Sequence, residues 1–183
     1  MRIGILQPGY LPWLGFFEQM RKSDVFVIYD DVQYDKESWR NRNRIKTANG
    51  IQWLTVPVMV SLETHPLVYE VKIDNKTNWR KKHLFSIRQN YSKAPYFKKY
   101  IATFEEAYLK EWECLADIDM YFILRLAECL GMENKKIIKS STLNAIGGRI
   151  ERLINICKLF NPDTFYEGAA GKNYIDDTQF LRH

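Results

Sequence analysis

The chain has 183 residues, of which 46% are hydrophobic and 27% charged, and its formal net charge is +5. This length and composition are typical of a folded globular protein and exclude general disorder. Charged residues interrupt every apolar run well before the roughly 20 residues that a membrane helix needs, so we expect no membrane span. Three cysteines without a CxxC pair and three histidines provide no local metal motif, and we expect a reducing, cytoplasmic compartment.

The first 31 residues predict a strand, a helix and a second strand. Residues 2–6 form an apolar strand-length run, which the turn at residues 7–12 (QPGYLP) closes. Apolar residues then recur with helical spacing up to residue 20, and residues 25–29 form a continuous apolar run. Continuous hydrophobicity indicates a strand that is covered on both faces, so we expect a parallel βαβ unit.

The rest of the chain predicts more strands and helices. Strands are expected at residues 52–57, 67–73, 136–139 and 164–166, and helices at residues 79–91, 96–112, 114–130 and 150–160. We expect the strands at 52–57 and 67–73 to extend the sheet. The alternation of strand and helix at both ends predicts one α/β domain over residues 1–183, with a mainly parallel sheet and a helical insertion over about residues 77–130.

Four loops follow predicted strands, where open α/β sheets bind their ligands. In the first, Gln7, Tyr10 and Trp13 precede a helix whose free N–H groups suit a phosphate. A plain strand-to-helix connection, with Tyr10 and Trp13 packed in the core, is the alternative. In the second, Asp30 and Asp31 are candidate ligands for magnesium or for the hydroxyls of a ribose.

The remaining candidates in these loops are polar or basic residues and glycines. The second loop continues with Gln33, Asn41, Arg42 and Asn43, and the third and fourth contain Gly148, Arg149, Arg152, Gly168 and Lys172. Arginine clamps phosphate through paired hydrogen bonds, and glycine permits close approach of a ligand to the backbone. A surface turn and helix capping are the alternatives. The fourth loop lacks the spacer and hydroxyl residue of a P-loop.

The cysteines and histidines are expected to be structural. Cys114, Cys129 and Cys157 fall on the apolar spacing of helices, which favours a packing role. His65 is predicted in a loop and His83 in a basic helix, so we expect both at the surface.

Three motifs together resemble the WbqC-like family. They are residues 3–17 (IGILQPGYLPWLGFF), 30–34 (DDVQY) and 39–45 (WRNRNRI), and the resemblance continues through residues 149–154 to residues 166–168 and Tyr174. It implies a protein of bacterial O-antigen (lipopolysaccharide) and other surface polysaccharide biosynthesis. Family members usually continue for several tens of residues, so the C-terminus of this chain is expected to be short relative to the family.

A more distant resemblance suggests a reaction. Residues 147–149, 158–163 and 166–168 with Lys172 are similar in order to a segment of pantothenate synthetase. This resemblance implies a Rossmann-like, nucleotidyltransferase-like α/β fold and adenylate-forming chemistry. The first turn of this chain has no histidine, whereas the related enzymes use histidines there.

These observations lead to one leading hypothesis and two alternatives. The leading hypothesis is a ligase or transferase that activates a small carboxylic or amino acid with ATP and Mg²⁺ and transfers it to a nucleotide-linked amino sugar. Asp30, Asp31 and Lys172 are the candidate catalytic residues. The first alternative is a metal-dependent sugar-nucleotide enzyme, such as a glycosyltransferase, that uses Asp30 and Asp31. The second is a nucleic-acid-binding module that uses residues 36–46 and 76–99. This hypothesis is the least favoured, because acidic residues elsewhere in the chain offset the basic ones.

Overall fold

The computed structural model of the protein describes residues 1–36, 38–61 and 65–168. The chain forms two compact units. The first, here called the sheet unit, comprises Met1–Gln7, Trp13–Asp31 and the described residues from Met132 onward. The second, here called the helical unit, comprises Pro8–Pro12 and the described residues of Val32–Gly131. The expectation of one domain over residues 1–183 stays a prediction.

The elements are numbered in chain order. The strands are β1 (Arg2–Leu6), β2 (Val25–Ile28), β3 (Arg42–Thr47), β4 (Gly50–Thr55), β5 (Val58–Met59), β6 (Lys72–Ile73), β7 (Lys136–Lys139) and β8 (Thr164–Tyr166). The helices are α1 (Leu14–Lys22), α2 (Trp79–Tyr91), α3 (Phe97–Leu109), α4 (Leu115–Cys129) and α5 (Arg149–Phe160). Short 3-10 helices lie at Val68–Glu70 and Ser140–Thr142.

The sheet unit contains a four-stranded parallel sheet in the order β7-β2-β1-β8. In the chain order of its own strands this order is 3-2-1-4. All four residues of β2 are buried, as its continuous apolar run predicts. The predicted βαβ unit at the start of the chain, and with it the α/β class, is confirmed.

Local signals fix the helices of the sheet unit. Helix α1 ends in Arg21 and Lys22, whose charges complement the negative end of the helix dipole. At the start of α5 the Glu151 carboxylate accepts a hydrogen bond from the Gly148 N–H at 3.2 Å. Helix α5 ends at Asn161, which adopts the left-handed conformation with φ 46° that asparagine tolerates.

The helical unit combines the hairpin β3–β4, the pair β5–β6 and the helices α2, α3 and α4. Its core includes Tyr10, Leu54, Trp79, Leu115 and Phe122, all buried. The three helices lie where the sequence predicts the helical insertion.

Two predictions about strands are wrong. The prediction of one strand at residues 67–73 fails because the Glu70 carboxylate accepts a hydrogen bond from the Leu67 N–H at 2.8 Å, which favours a 3-10 turn before the short β6. The expected extension of the parallel sheet also fails within the described residues, because β4 pairs with β3 and β5 with β6. Strand β3 itself lies where the sequence predicts a loop.

None of the helices in the described part of the chain is long and apolar enough to cross a membrane.

Gly4 is required where the central strand β1 passes close to β2. A Cβ atom at this position would meet Ser23 Oγ and would lie 3.0 Å from Phe26 Cδ2. Overpacking of this kind typically costs about 1–3 kcal/mol, so Gly4→Ala should lower the free energy of unfolding by about that amount. Urea denaturation measures the change. Gly148→Ala is the matched control, since nothing lies within 4 Å of its added Cβ, and equal stability of both variants would contradict the prediction.

Candidate functional site

The carboxyl edge of the parallel sheet brings several predicted site residues to one side of the sheet unit. Gln7 follows β1, and Asp30 and Asp31 follow β2. Ser140 follows β7, and Gly168 lies two residues after β8. Because all four strands are parallel, their carboxyl ends share this edge, as the sequence predicts.

Asp30 and Asp31 join the ends of β2 and β7. The Asp30 carboxylate accepts hydrogen bonds from the Ser141 N–H at 3.0 Å and from Ser141 Oγ at 2.9 Å. Ser140 Oγ lies 3.2 Å from Asp30 Oδ1 and also donates to Asp31 Oδ1. Both aspartates and Ser140 are buried, so these contacts replace the water that the carboxylates lose on folding.

Arg152 on α5 completes this network. Its Nη2 forms an ion pair with the Asp31 carboxylate, and its Nη1 donates to the Asp31 backbone carbonyl at 3.0 Å. The guanidinium also lies over the Tyr29 ring, 5.6 Å from the ring centroid. Arg152 is fixed through Asp31 and keeps partial exposure, whereas Arg149 at the helix start is exposed.

The acidic pair is a poor fit for magnesium. Its carboxylate oxygens already accept from Ser140, Ser141 and Arg152. Among residues 1–36, 38–61 and 65–168, no group of three or more His, Cys, Asp or Glu side chains has the geometry to hold a metal ion. The contacts favour a positioning role for Asp30 and Asp31.

Gln7 and Gly168 follow β1 and β8, the neighbouring strands at which the strand order reverses. Gln7 Oε1 is buried and has no hydrogen-bond partner among the described residues. At Gly168 a Cβ atom would lie 2.6 Å from Gln19 Nε2, so the backbone passes directly against α1. A buried acceptor without a partner calls for an explanation, and a bound ligand supplies one.

Most of the other predicted binding residues lie in the helical unit or outside the described residues. Asn41 is buried, and its Nδ2 donates to the Val56 carbonyl at 2.9 Å. Gln33 is exposed, and its Nε2 donates to His65 Nδ1 at 2.8 Å. Arg42 lies over the Trp53 ring at 4.7 Å. Lys172, predicted to be catalytic, and Tyr174 lie outside the described residues.

Residues of the first loop divide between the two units. Trp13, in the sheet unit, is 48% exposed, which excludes the alternative of a core position for this residue. Residues 8–12 belong to the helical unit, where Asn43 Nδ2 donates to the Leu11 carbonyl at 2.6 Å. The first and second loops of the sequence analysis therefore meet in the helical unit.

A buried polar cluster in the helical unit contains Tyr10, His83 and Tyr108. The Tyr10 hydroxyl lies 2.8 Å from His83 Nδ1 and also hydrogen-bonds the Tyr108 hydroxyl. Tyr10 is fully buried, so the alternative interpretation of the first loop, a core position for this residue, is confirmed. The expectation that His83 lies at the surface is wrong, because α2 turns this residue inward, whereas His65 is exposed as predicted.

Asp119 on α4 is a buried carboxyl that lies outside the four predicted site loops. It is fully buried, and neither carboxyl oxygen has a hydrogen-bond partner among the described residues. Burial raises the pKa of Asp119 well above its ordinary value, and the positive charge of Arg40 acts in the opposite direction. Asp119 in turn contributes to raising the pKa of Tyr34 to about 12, after burial as the main cause.

Removing Arg152 should leave the Asp31 carboxylate buried without its charged partner. Because an unpaired buried charge is costly, we expect Arg152→Gln to lower the free energy of unfolding by about 1–3 kcal/mol. Arg149→Gln, which changes an exposed arginine one turn earlier on α5, serves as the control and should leave stability unchanged. Chemical denaturation measures the free energy of unfolding of both variants. Equal values for the two would show that the ion pair contributes nothing to stability.

His83 should make the protein sensitive to acid. Burial lowers its pKa from 6.5 to about 4, while a hydrogen bond to the Thr55 backbone carbonyl opposes the shift. The folded state therefore binds fewer protons than the unfolded state as the pH falls from 6.5 towards 4, and stability is lost over this range. A pKa difference of that size corresponds to a change of about 3 kcal/mol in the free energy of unfolding.

The measurement is the free energy of unfolding at neutral pH and near pH 4 for the wild type and two variants. His83→Gln should lose part of the acid sensitivity, because glutamine does not titrate and still accepts a hydrogen bond. His65→Gln, at an exposed position, should retain all of it. Identical pH profiles for the wild type and His83→Gln would refute the assignment.

Comparison with known proteins agrees with the motifs of the first two loops. Residues 7–183 match the model of the WbqC-like protein family. A Mycobacterium tuberculosis (strain ATCC 25618 / H37Rv) relative described as "Uncharacterized protein Rv1507c" is 35% identical over 180 residues, which cover 98% of this chain and 77% of the relative. No solved structure matches the chain at a significant level. The chain belongs to the WbqC-like protein family.

Proposed function

We propose that this protein acts in bacterial surface polysaccharide biosynthesis, as an enzyme that activates a small carboxylic or amino acid with ATP and transfers it to a nucleotide-linked amino sugar. One observation carries the proposal: the 3-2-1-4 parallel sheet, with polar side chains and a glycine at its carboxyl edge. Doubly wound nucleotide-binding sheets share this strand order and bind their ligands at the point where the order reverses.

The nucleotide is assigned to the edge between β1 and β8. This is the point of the sheet at which the strand order reverses. Gln7 follows β1, and its buried amide oxygen, which has no partner among the described residues, suits an N–H donor of a base. Gly168 follows β8, where its backbone passes directly against Gln19 of α1.

Arg152 supports the binding of the acid substrate. The Asp31 carboxylate, the Asp31 carbonyl and the Tyr29 ring fix its guanidinium, so less conformational entropy is lost when it binds an anion. Preorganised donors of this kind stabilise charge in a transition state without reorganisation. Asp30 and Asp31 then act as positioning residues, and magnesium enters as part of the MgATP substrate.

The proposed reaction has two balanced steps. A carboxylate oxygen of the acid attacks the α-phosphorus of ATP, and the bond to the bridging oxygen breaks with release of pyrophosphate. The amine nitrogen of the sugar then attacks the activated carbonyl carbon, loses a proton and releases AMP. Lys172 stays a prediction as the residue that holds the phosphates.

Thermal unfolding in the presence of nucleotides tests the proposal. A ligand at 100 times its Kd stabilises the folded state by about 2.7 kcal/mol, so MgATP and AMP should raise the Tm. Gln7→Ala should weaken this response, whereas Gln89→Ala, an exposed glutamine on α2, should not. Pyrophosphate release that depends on an added carboxylic or amino acid then tests the chemistry.

Other outcomes would overturn the proposal. A response confined to sugar nucleotides with Mg²⁺ or Mn²⁺ would favour the metal-dependent sugar-nucleotide enzyme. Binding of nucleic acid with a steep salt dependence would favour the nucleic-acid-binding module. If neither ATP nor AMP changes the Tm, the proposed nucleotide site is refuted.

A further inference from the structure

The exposed face of the hairpin β3–β4 carries an unusual aromatic and basic surface. Strand alternation places Ile45 and Leu54 in the core, while Arg44 and its cross-strand partner Trp53 lie on the opposite face. Trp39, just before β3, lies beside Trp53 with ring centroids 5.3 Å apart. We call the surface formed by Trp39, Arg42, Arg44, Lys46 and Trp53 the aromatic platform.

Arginines are stacked on both tryptophan rings of the platform. The Arg44 guanidinium lies 5.0 Å from the Trp39 centroid and 5.5 Å from the Trp53 centroid, and the Arg42 guanidinium lies 4.7 Å from the Trp53 centroid. A stacked guanidinium directs its N–H donors outward in the ring plane, where they can bind an oxyanion in bidentate fashion. The rings keep 43% and 44% of their surface exposed.

The hairpin β3–β4 carries positive charge and no acidic residue. Residues 42–55 contain Arg42, Arg44 and Lys46 and no aspartate or glutamate. Within the described part of the chain, neither Arg44 nor Lys46 forms an ion pair. Its charge therefore attracts an anion, and its rings favour one that carries a planar group.

The segment Pro8–Pro12 holds the platform in place. The Tyr10 N–H lies 3.2 Å from the Trp39 carbonyl and 3.1 Å from the Arg40 carbonyl. A Cβ atom at Gly9 would lie 3.0 Å from the Trp39 carbonyl oxygen, so glycine permits this close approach. Arg40 Nη1 also donates to the Pro8 carbonyl at 3.2 Å. The tryptophans are exposed on a fixed backbone, which is the arrangement expected of a binding surface.

The dimensions favour a small ligand over a nucleic acid strand. From Arg42 to Lys46 the strand spans about 13 Å, at about 3.3 Å per residue. Single-stranded nucleic acid sites usually cover about 4–16 nucleotides. On the neighbouring helix α2, Arg80 is paired with Glu111 and Arg88 with Glu105, so the charges of these two arginines are compensated.

We propose that the aromatic platform binds the nucleoside diphosphate part of a nucleotide-linked sugar, with the base against the exposed part of the two tryptophan side chains and the phosphates on Arg44 and Lys46. The proposal rests on the proposed function only for the sugar end of the ligand. The stacked rings, the uncompensated charge and the fixed backbone support the nucleoside diphosphate independently of any ATP chemistry.

Calorimetric titration of the full chain tests the platform. The probes are UDP, dTDP and GDP, with uridine as the ring alone, inorganic pyrophosphate as the charge alone and a ten-residue oligo(dT) as a nucleic acid strand. We expect at least one nucleoside diphosphate to bind at least tenfold more tightly than uridine and pyrophosphate. Equal binding of pyrophosphate, tighter binding of oligo(dT) or no binding of any probe would overturn the proposal.

Variants assign the binding to the platform. Arg44→Gln and Trp53→Ala should each weaken nucleoside diphosphate binding at least tenfold, while Trp53→Phe should retain most of it. Lys81→Gln, an exposed lysine on α2, is the control and should change nothing. Because the altered side chains are exposed, circular dichroism of each variant should match the wild type. Full binding by both Arg44→Gln and Trp53→Ala would overturn the assignment.

The same experiment separates this proposal from the proposed function. Gln7→Ala belongs to the sheet unit and should not alter binding of the nucleoside diphosphate. If UDP or dTDP binds and Arg44→Gln abolishes binding, the platform stands even when no pyrophosphate is released from ATP. If pyrophosphate is released but Arg44→Gln leaves nucleoside diphosphate binding intact, the proposed function stands and the platform is refuted.

Discussion

A buried phenol needs hydrogen-bond partners, and the architecture of the helical unit depends on how Tyr10 finds them. Its hydroxyl hydrogen-bonds His83 and Tyr108 inside the core. Its N–H faces the carbonyls of Trp39 and Arg40. One residue thus links the core to the loop that exposes Trp39, which gives a physical reason for the presence of the QPGYLP turn and the WRNRNRI segment in one chain. Loss of the hydroxyl contacts of Tyr10 would weaken the hold of its backbone on the loop, and loss of the N–H contacts would weaken the position of its side chain in the core.

At the carboxyl edge of the sheet unit, buried charged groups likewise need hydrogen-bond partners. Asp30 and Asp31 are buried, so their carboxylates require donors, and Ser140, Ser141 and Arg152 supply them. This requirement joins the ends of β2 and β7 and fixes Arg152 on α5. The contacts of the acidic pair therefore favour control over the position of a guanidinium over binding of a free cation.

The sequence predicts structure well where the signal is local, and poorly where the structure depends on packing between distant elements. Periodicity located α2, α3 and α4 and the βαβ unit, because each buries a full stripe or strand of apolar residues. Strand β3 escaped prediction because Ile45 is its single apolar residue, among polar neighbours. His83 had a usable signal, since it lies four residues from Trp79 and from Ile87, both buried. Asp119 had the same signal, since it lies four residues from Leu115 and from Ile123, both buried.

The two positive sites differ in how their arginines are supported, and this difference bears on what each can bind. Arg152 is paired with the Asp31 carboxylate, so most of its charge is compensated and it offers mainly directed donors. Arg44 is supported by the rings of Trp39 and Trp53, which leave its full charge in place. A compensated guanidinium suits a singly charged carboxylate, whereas an uncompensated one suits the higher charge density of phosphates. On electrostatic grounds the proposed acid substrate is therefore better matched to Arg152 and the proposed diphosphate to Arg44.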